Sequence, residues 1–536
     1  MTAPHTYITT TIPYVNARPH IGHALEYVQA DVLARFRRGQ GEAVRLQAGT
    51  DDNSLNNVLA AQAAGVGVTE FVDANAAAFA GLAGALSLTV DDFIRTSRDP
   101  RHRPGVERFW RACAADLYRR RYEGLYCNGC EQFYSPAELR EGRCPDHGTL
   151  PQQVAEENWF FRLSRYAGPV REAISSGRLR IEPAGRRHEV LAFIDAGLAD
   201  FSVSRPAERA GGWGIAVPED PSQVIYVWFD ALCNYVTALG PGEDVYQRWW
   251  AGLGQRIHLL GKGVLRFHAV YWPAMLLSAG LPLPTDIFVH DYLTTGGRKI
   301  SKSAGAPLAD PAGLAGEYGT DAVRWWLLRE VPRAGDADFT VERLIARSDD
   351  ELANGLGNLV NRVVSMIHRY RDGYPPALPG KLPEGSGALL TAIRGAGEVV
   401  AAALAEFDFR RATAAVWAIA DEANRFVNRA RPWTLATGPG LDGVLGVLFA
   451  ACSALARLLV PFLPDAAGRV TAQCTPGRDG RLPEPAPLFR RLALAGQRKR
   501  RRPGSRPLTR SSSRTTKAPI IEPMMPTVWK LWMLAV

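Results

Sequence analysis

Tyr7-Ile8-Thr9-Thr10-Thr11-Ile12-Pro13-Tyr14-Val15-Asn16-Ala17-Arg18-Pro19-His20-Ile21-Gly22-His23 runs from a β-branched, aromatic stretch through a loop to a pair of histidines. The first six residues read as a strand. Pro13 and Pro19 bracket the loop. From Ile21 onward, Leu25, Val28, Val32 and Phe36 recur at helical spacing with polar residues between them. His20 and His23 therefore stand where a strand passes through a loop into a helix. The first turn of a helix has unpaired N–H groups and a partial positive charge, which suits phosphate. Histidines placed there can donate hydrogen bonds to a pentavalent α-phosphate. The plainer reading is two capping or surface histidines.

A second string, Lys299-Ile300-Ser301-Lys302-Ser303, follows a glycine turn at Gly296-Gly297. The chain carries 63 basic residues but only seven lysines, and four of these precede residue 498: Lys262, Lys299, Lys302 and Lys381. Arginine otherwise supplies the positive charge. Two scarce lysines in one pentapeptide, with a third in Gly261-Lys262-Gly263, argue for retained chemistry rather than solvated charge. A compact ammonium on a flexible stem can follow charge as it moves onto a leaving pyrophosphate.

At 536 residues the chain is expected to hold two to four domains, and 46% apolar residues are enough for large cores. No N-terminal apolar stretch follows a basic segment, so no signal peptide is expected. No apolar run reads as long enough to span a bilayer, so a cytoplasmic protein without membrane contact is expected. The net charge of +9 is misleading. Residues 498–536 hold ten Lys/Arg and one Glu, so the body is balanced. Any nucleic-acid contact by the body must come from a local patch, shape or stacking. The tail begins at Arg498-Lys499-Arg500-Arg501-Arg502, passes through a Ser/Thr/Arg/Pro stretch and ends rich in tryptophan. A basic disordered arm is one reading; a solvated tail or a frameshifted read-through is favoured by the abrupt change.

Seven cysteines, three of them clustered, point to metal rather than a disulfide framework. Cys127-Asn128-Gly129-Cys130 and Cys144-Pro145-Asp146-His147 each have the two-residue gap that presents two ligands to a tetrahedral ion. Three thiolates and one imidazole form a closed set, so one structural Zn2+ is expected, against a degenerate knuckle that no longer binds. Cys113, Cys233, Cys452 and Cys474 read as buried or incidental thiols.

Along the chain, strands are expected at Ala43–Ala48, Val224–Phe229, Arg256–Leu260 and Asp286–His290. Alternation with helices implies an α/β fold whose parallel sheet binds ligands beyond the strands' carboxyl ends, near Asp51, Trp228, Lys262 and His290. From about residue 346 helical stripes take over. One is Leu352, Leu356, Leu359, Val363 and Met366; others run over Ala401–Ala430 and Gly443–Val460.

The two strings, with Pro13-Tyr14-Val15-Asn16, Tyr226-Val227-Trp228-Phe229-Asp230-Ala231-Leu232, Asn234-Tyr235, Phe267-His268, Tyr271-Trp272-Pro273-Ala274-Met275-Leu276, Phe288-Val289-His290, Gly357-Asn358-Leu359-Val360-Asn361-Arg362 and Pro432-Trp433, resemble the methionyl-tRNA synthetase family. This is a class I aminoacyl-tRNA synthetase family, and the match is to its single-knuckle bacterial type over about residues 6 to 465. The resemblance implies a Rossmann-like catalytic domain at 1–115 and 223–305, split by a connective insert with the knuckle at 116–222. It implies a linker or stem-contact region at 306–345, an α-helical anticodon-binding domain at 346–495 and a tail at 496–536. It implies that ATP, with Mg2+, is held by His20, Gly22, His23, Lys262 and Lys302. His20, His23, Lys299 and Lys302 would be catalytic. Ile12, Tyr14, Asp51, Trp228, Ala231, Leu232, Tyr235 and His290 would bind L-methionine, Asp51 through the ammonium. Arg369 and Trp433 would meet the anticodon of methionine tRNA.

The implied reaction is attack of the methionine carboxylate on the ATP α-phosphate, then transfer of methionine to the terminal adenosine. One methyl separates methionine from homocysteine, worth about 1–3 kcal/mol in an apolar pocket, so some editing is expected. Three departures stand out. Asp51-Asp52-Asn53-Ser54 replaces the usual Asp-Glu-His-Gly, Ser365 stands where an asparagine can precede the anticodon-reading arginine, and no OB-type domain follows the bundle, so a monomer is expected. Asn53-Ser54 motivates a competing reading as a divergent paralogue with altered tRNA or amino-acid use. A non-catalytic tRNA-binding relic is disfavoured by the intact histidine and lysine strings. A small-molecule amino-acid ligase is disfavoured by the long helical region.

Overall fold

The structure, a computed structural model, describes residues 5–127, 132–134, 136–145, 148–240, 244–300, 310–378, 380–435 and 440–493. Cys130, His147, Lys302 and the basic tail lie outside the described residues.

The catalytic half is built on six parallel strands: β1 (His5–Thr10), β2 (Ala43–Thr50), β3 (Asp92–Arg95), β4 (Arg180–Glu182), β5 (Gln255–Gly261) and β6 (Asp286–His290), in spatial order β3-β2-β1-β5-β6-β4. Strand order runs outward from the β1/β5 pair through β2 and β3 on one side and β6 on the other, with the earlier β4 added at that edge, which makes the carboxyl ends of β1 and β5 the switch point of the sheet. Strands buried on both faces read as apolar runs, as in Leu259, Leu260, Ile287, Phe288 and Val289, each at most 1% exposed. β4 comes from inside the segment assigned to the insert, so the chain returns to the sheet there. The rest of the insert combines an antiparallel sheet, dominated by Leu117–Cys127 paired with Gln152–Phe161, with helices Ala167–Ser175 and Ala184–Asp195.

The strand expected at Val224–Phe229 is corrected. A strand over Asp220–Ile225 ends in a small antiparallel sheet, and a helix begins at Val227. Periodicity cannot separate a fully buried helix from a buried strand, and ten of the eleven residues in Val227–Thr237 are buried. Trp228 therefore stands in the first turn of a helix, not at the end of a sheet strand.

The helical half follows the pattern of apolar stripes. Helix Val341–Arg347 continues through a wider π-type stretch, Ser348–Gly357, into Asn358–Arg371. The stripe read across Ala401–Ala430 is two helices, Gly387–Ala405 and Phe409–Ala430, because Phe407 takes φ 56° and Asp408 caps the second through the Arg411 amide. The expectation that no apolar run reaches membrane-spanning length is also corrected. Gly387–Ala405 and Gly440–Leu458 both reach it by length and composition. Both are bundle helices, and Leu445, Leu448, Ala451 and Leu455 of the second are at most 1% exposed within the core.

One buried ion pair joins the two halves. Arg324, fully buried on helix Thr320–Arg329, pairs with Asp31 of helix Ile21–Gly39 at 2.8 Å. Its guanidinium also donates to the carbonyls of Phe462 (2.8 Å), Leu86 (2.9 Å) and Pro461 (3.1 Å). Removing one partner of such a pair leaves buried polar groups uncompensated, which costs about 3–5 kcal/mol. Arg324→Met is therefore expected to lower unfolding free energy by that amount in denaturant titrations. Arg324→Lys is expected to recover less than half, because an ammonium cannot reach all four acceptors in the geometry of a planar fork.

Candidate functional site

The carboxyl ends of β1, β2, β5 and β6 carry the residues that the sequence singles out. After β1, His20 caps the helix that starts at Ile21. Its Nδ1 accepts from the Gly22 amide (3.1 Å), while His23 Nδ1 accepts from the His20 amide (3.0 Å), and the rings stack at 3.8 Å. The capping reading and the phosphate reading are thus compatible. Capping occupies Nδ1, so each neutral ring carries its proton on Nε2, the donor that a phosphate oxygen needs. Glycine at 22 permits this fold-back: a Cβ there would lie 2.9 Å from His20 Cε1.

After β2, Asp51 is 2% exposed and bridges to Tyr14, its amide donating to the Pro13 carbonyl at 2.9 Å. Asp52 and the two residues that depart from the family pattern have definite structural partners. Asp52 is held by Thr50, Ser97 and Arg95; burial nevertheless pushes its carboxyl above the usual carboxylate range. Asn53 Nδ2 donates to Asp230 Oδ2 at 2.7 Å, and Ser54 caps the next helix through the Asn56 amide at 3.0 Å.

Tyr14 and Trp228 rings lie 6.2 Å apart, and Trp228 stacks flat on Phe267 at 3.9 Å. Trp228 Nε1 is buried without a hydrogen-bond partner among the described residues. Ala231, Leu232 and Tyr235 on the same helix are buried, only 3%, 1% and 1% exposed. Ile12 is half-buried, and a Cβ at Gly49 would come within 2.9 Å of it. Below this slot, His268 Nε2 meets the Tyr235 hydroxyl at 2.7 Å while its Nδ1 faces the Val264 carbonyl at 2.9 Å. His268 Nδ1–H thus donates to the carbonyl, and the tyrosine hydroxyl donates to Nε2. Burial holds the Tyr235 phenol far above its usual range and pulls His268 down to about 4. Burial, then His268 and Arg256, likewise keep His258 neutral. The floor is polar but uncharged, with aromatic walls.

Phe267 and His268 are quoted in the sequence without a role, and geometry assigns them one. They lie six and seven residues beyond the end of β5, just past the turn that carries Lys262. His290, at the carboxyl end of β6, pairs with a carboxylate. Its Nε2 is 3.1 Å from Glu26 Oε2, and its Nδ1 is 2.9 Å from the Asp291 carbonyl. Glu26, 5% exposed, also accepts from the Thr11 amide and hydroxyl at 2.6 Å. No spacing signal marks Glu26, which reads as one polar residue on an amphipathic helix. Lys262 pairs with Asp336 at 2.5 Å and Asp291 at 3.4 Å. Lys299 closes a short two-stranded turn by pairing with Thr294.

In the insert, Cys127 and Cys144 are each 1% exposed and share a small buried cluster with Tyr134. Among the described residues no group of three potential metal ligands occurs. In the helical half, Arg369 and Trp433 line one groove of about 390 Å³ with Asn361, Arg362, Ser365, Met366 and Tyr370. Trp433 is 47% exposed, which separates it from a core tryptophan.

A family model for class I tRNA synthetases (M) matches residues 6–153 and 134–364. The chain is similar to the methionine–tRNA ligase of Caldanaerobacter subterraneus subsp. tengcongensis, 39% identical over 468 residues that cover 86% of this chain and 72% of that protein. It is similar to that of Brucella suis biovar 1 at 38% identity, with 92% and 98% covered. Among solved structures, Mycobacterium tuberculosis methionyl-tRNA synthetase in complex with methionyl-adenylate superposes with a TM-score of 0.84 at 35% identity, covering 91% of this chain and 99% of that one.

His268 sets a pH dependence. Its folded value of about 4 lies below the ordinary 6.5, so the unfolded chain takes the proton first as pH falls. The contribution to stability is complete above about pH 6.5 and is lost progressively toward pH 4, on the order of 3 kcal/mol. Thermal unfolding across this window should show the midpoint falling with pH, and His268→Gln should flatten part of that fall.

Proposed function

The chain belongs to the methionyl-tRNA synthetase family, and from that premise we propose a residue-level account of its reaction, the ATP-dependent attachment of L-methionine to methionine tRNA through methionyl-adenylate. The observation that carries the account is the convergence at the sheet's switch point. The histidine pair, Asp51, Lys262 and His290 stand at neighbouring carboxyl ends, beside a slot walled by Tyr14, Trp228 and Phe267.

In this account His20 and His23 donate through Nε2–H to ATP phosphates over the helix N-terminus, where Gly22 leaves room. Lys262, Lys299 and Lys302 supply cationic charge to the developing pyrophosphate, with Mg2+ arriving on ATP. Asp51 binds the methionine ammonium. Ile12, Ala231 and Leu232 give the side chain apolar contact, and the aromatic walls suit a polarizable thioether. The uncharged floor of Tyr235 and His268 supports selection against charged side chains, which lose their hydration without gaining a counter-ion. The methionine carboxylate attacks the α-phosphate in line and pyrophosphate leaves; a hydroxyl of the terminal adenosine of the tRNA then attacks the activated carbonyl, and AMP leaves with the anhydride oxygen. Positioning and preorganised charge supply the rate. The groove of Arg369 and Trp433 takes anticodon bases, the indole by stacking and the guanidinium by hydrogen bonding. No disulfide joins any of the six described cysteines, in keeping with a cytoplasmic location.

Structural zinc is part of the account. Cys127 and Cys144 fit it: two buried thiols in a cluster too small to be stabilised by apolar burial alone. Cys130 and His147 complete the donor set by sequence spacing. Bound zinc would brace the insert and take no part in the chemistry. Purified protein should contain one zinc per chain by elemental analysis, and Cys144→Ser should lose it together with thermal stability of the insert. Wild-type protein free of zinc would refute the assignment.

Pyrophosphate exchange across the twenty amino acids should respond to methionine above all others, and methionine tRNAs should be charged. Stacking one base is worth about 1–3 kcal/mol, so Trp433→Ala should raise the KM for tRNA by about tenfold to a hundredfold. It should leave methionine-dependent exchange unchanged. Exchange without charging of any methionine tRNA would sink the ligase reading.

A further inference from the structure

The amino-acid site is assembled from two elements that are far apart in sequence. Asp51 comes from the loop after β2, while Trp228, Ala231 and Leu232 come from helix Val227–Thr237. Asp230 lies between those wall residues on the same helix and is 1% exposed. A buried carboxylate is tolerated only when its oxygens are bonded. Here each oxygen has its own partner: Oδ1 is 2.6 Å from His102 Nε2, and Oδ2 accepts from Asn53 Nδ2 at 2.7 Å. His102 is fully buried, and its other nitrogen meets Thr237 Oγ1 at 2.8 Å. Thr237 is the last residue of the same helix. Asp230 is therefore held on one side by a closed link within the catalytic core and on the other by the loop that carries Asp51.

The loop is fixed at its other points as well. The Asn53 amide donates to Asp51 Oδ1 at 3.3 Å, Asn57 Nδ2 donates to the carbonyls of Asp51 (3.0 Å) and Asp52 (2.9 Å), and Trp213 Nε1 donates to the Asp52 carbonyl at 2.7 Å. Of these contacts, only that of the Asn53 side chain reaches the helix that walls the slot. Its carboxamide suits that contact, because Nδ2 is a donor without charge facing an acceptor that carries one. A carboxylate in its place would set two anions against each other at hydrogen-bond distance in a buried site.

We propose that Asn53 is a positioning residue for the amino-acid substrate: through Asp230 it fixes the separation between the ammonium-binding Asp51 and the side-chain slot on helix Val227–Thr237. The proposal rests on the functional reading above. It makes the departure from the family's Asp-Glu-His-Gly pattern a working part of the site, and it assigns Asn53 no contact with substrate. Loosening this tie should weaken methionine binding while sparing ATP, whose contacts come from the end of β1 and the lysines.

The test is methionine-dependent pyrophosphate exchange with the full-length protein, measuring KM for methionine and ATP separately, with thermal midpoints recorded for each variant. A hydrogen bond to a charged group sets the scale at about tenfold. Asn53→Asp should raise the methionine KM by about that factor or more, with the ATP KM within about twofold of wild type. In the Asn53→Asp/Asp230→Asn double variant donor and acceptor trade places, and the methionine KM should return to within about threefold of wild type. Should Asn53→Asp fail to fold, Asn53→Ser removes the bond without adding charge and should show the same methionine-selective rise. An unchanged methionine KM, equal rises for both substrates, or a double variant no better than the poorer single one would each overturn the proposal. No methionine-dependent exchange in the wild type would instead overturn the functional reading, and this inference with it.

Discussion

The molecule is organised around a guanidinium that water cannot reach. Arg324 is fully buried, and it bonds Asp31 together with three backbone carbonyls from two distant turns. Asp31 is equally buried; burial opposes its ionisation, but Arg324, Arg35 and the Thr89 bonds outweigh that and hold its carboxyl below the usual range. Desolvating two ions is expensive, so such a pair persists only where every donor and acceptor is met. Here the requirement has a geometric consequence. Helix Ile21–Gly39, which begins at the histidine pair, is locked to helix Thr320–Arg329 and to the turn at Pro461–Phe462 in the bundle. The phosphate end of the catalytic site and the helical half are set relative to one another by an interaction that tolerates little displacement.

Much of this arrangement is legible in the sequence, for physical reasons that differ by element. The strand–loop–helix from Tyr7 to Phe36 combines two periodicities with prolines between them, and the structure follows it closely. β5 and β6 are short apolar runs bounded by turn residues, and they too fall where expected. Tyr226–Phe229 misleads because an apolar run buried all round has the same appearance in a helix or a strand. His290 and His268 show a second limit. Both are histidines near sheet ends, but only tertiary packing brings Tyr235 to one and Glu26 to the other. Long-range partners such as Asn53 with Asp230, 177 residues apart, leave no mark in local pattern.

The site separates two kinds of polarity. At its floor Tyr235, His268 and His258 are kept uncharged by burial, and their hydrogen bonds are satisfied among themselves, Thr9, Trp272 and a backbone carbonyl. At its rim, where strands end and helices begin, ionic groups gather: Asp51, Glu26 beside His290, and Lys262 between Asp291 and Asp336. This division follows from desolvation. A charge placed in the floor would need a counter-charge there, which would leave no apolar space for a thioether. The charged chemistry therefore belongs at the carboxyl ends of the strands, and the recognition of an uncharged side chain belongs between the aromatic walls.

The rim also connects to the distant groove through continuous secondary structure. Leu293–Thr295, the strand preceding the lysine string, pairs in parallel with Ala337–Asp338. Asp338 Oδ1 accepts from the Thr294 hydroxyl at 2.8 Å and from the Gly297 amide at 3.1 Å. Two residues later Thr340 caps a helical run, accepting from the Arg343 amide, and the run extends from Val341 to Arg371. At 1.5 Å per residue this rod is about 45 Å long. Arg369, which lines the groove with Trp433, lies in its last turn. A rod of that length cannot change angle at one end without displacing the other by several ångströms. The strand that leads into the lysine string and the arginine that lines the groove are thus placed by one element, and the helix of Arg324 holds that element through Trp325 and Arg329, which both donate to Glu351.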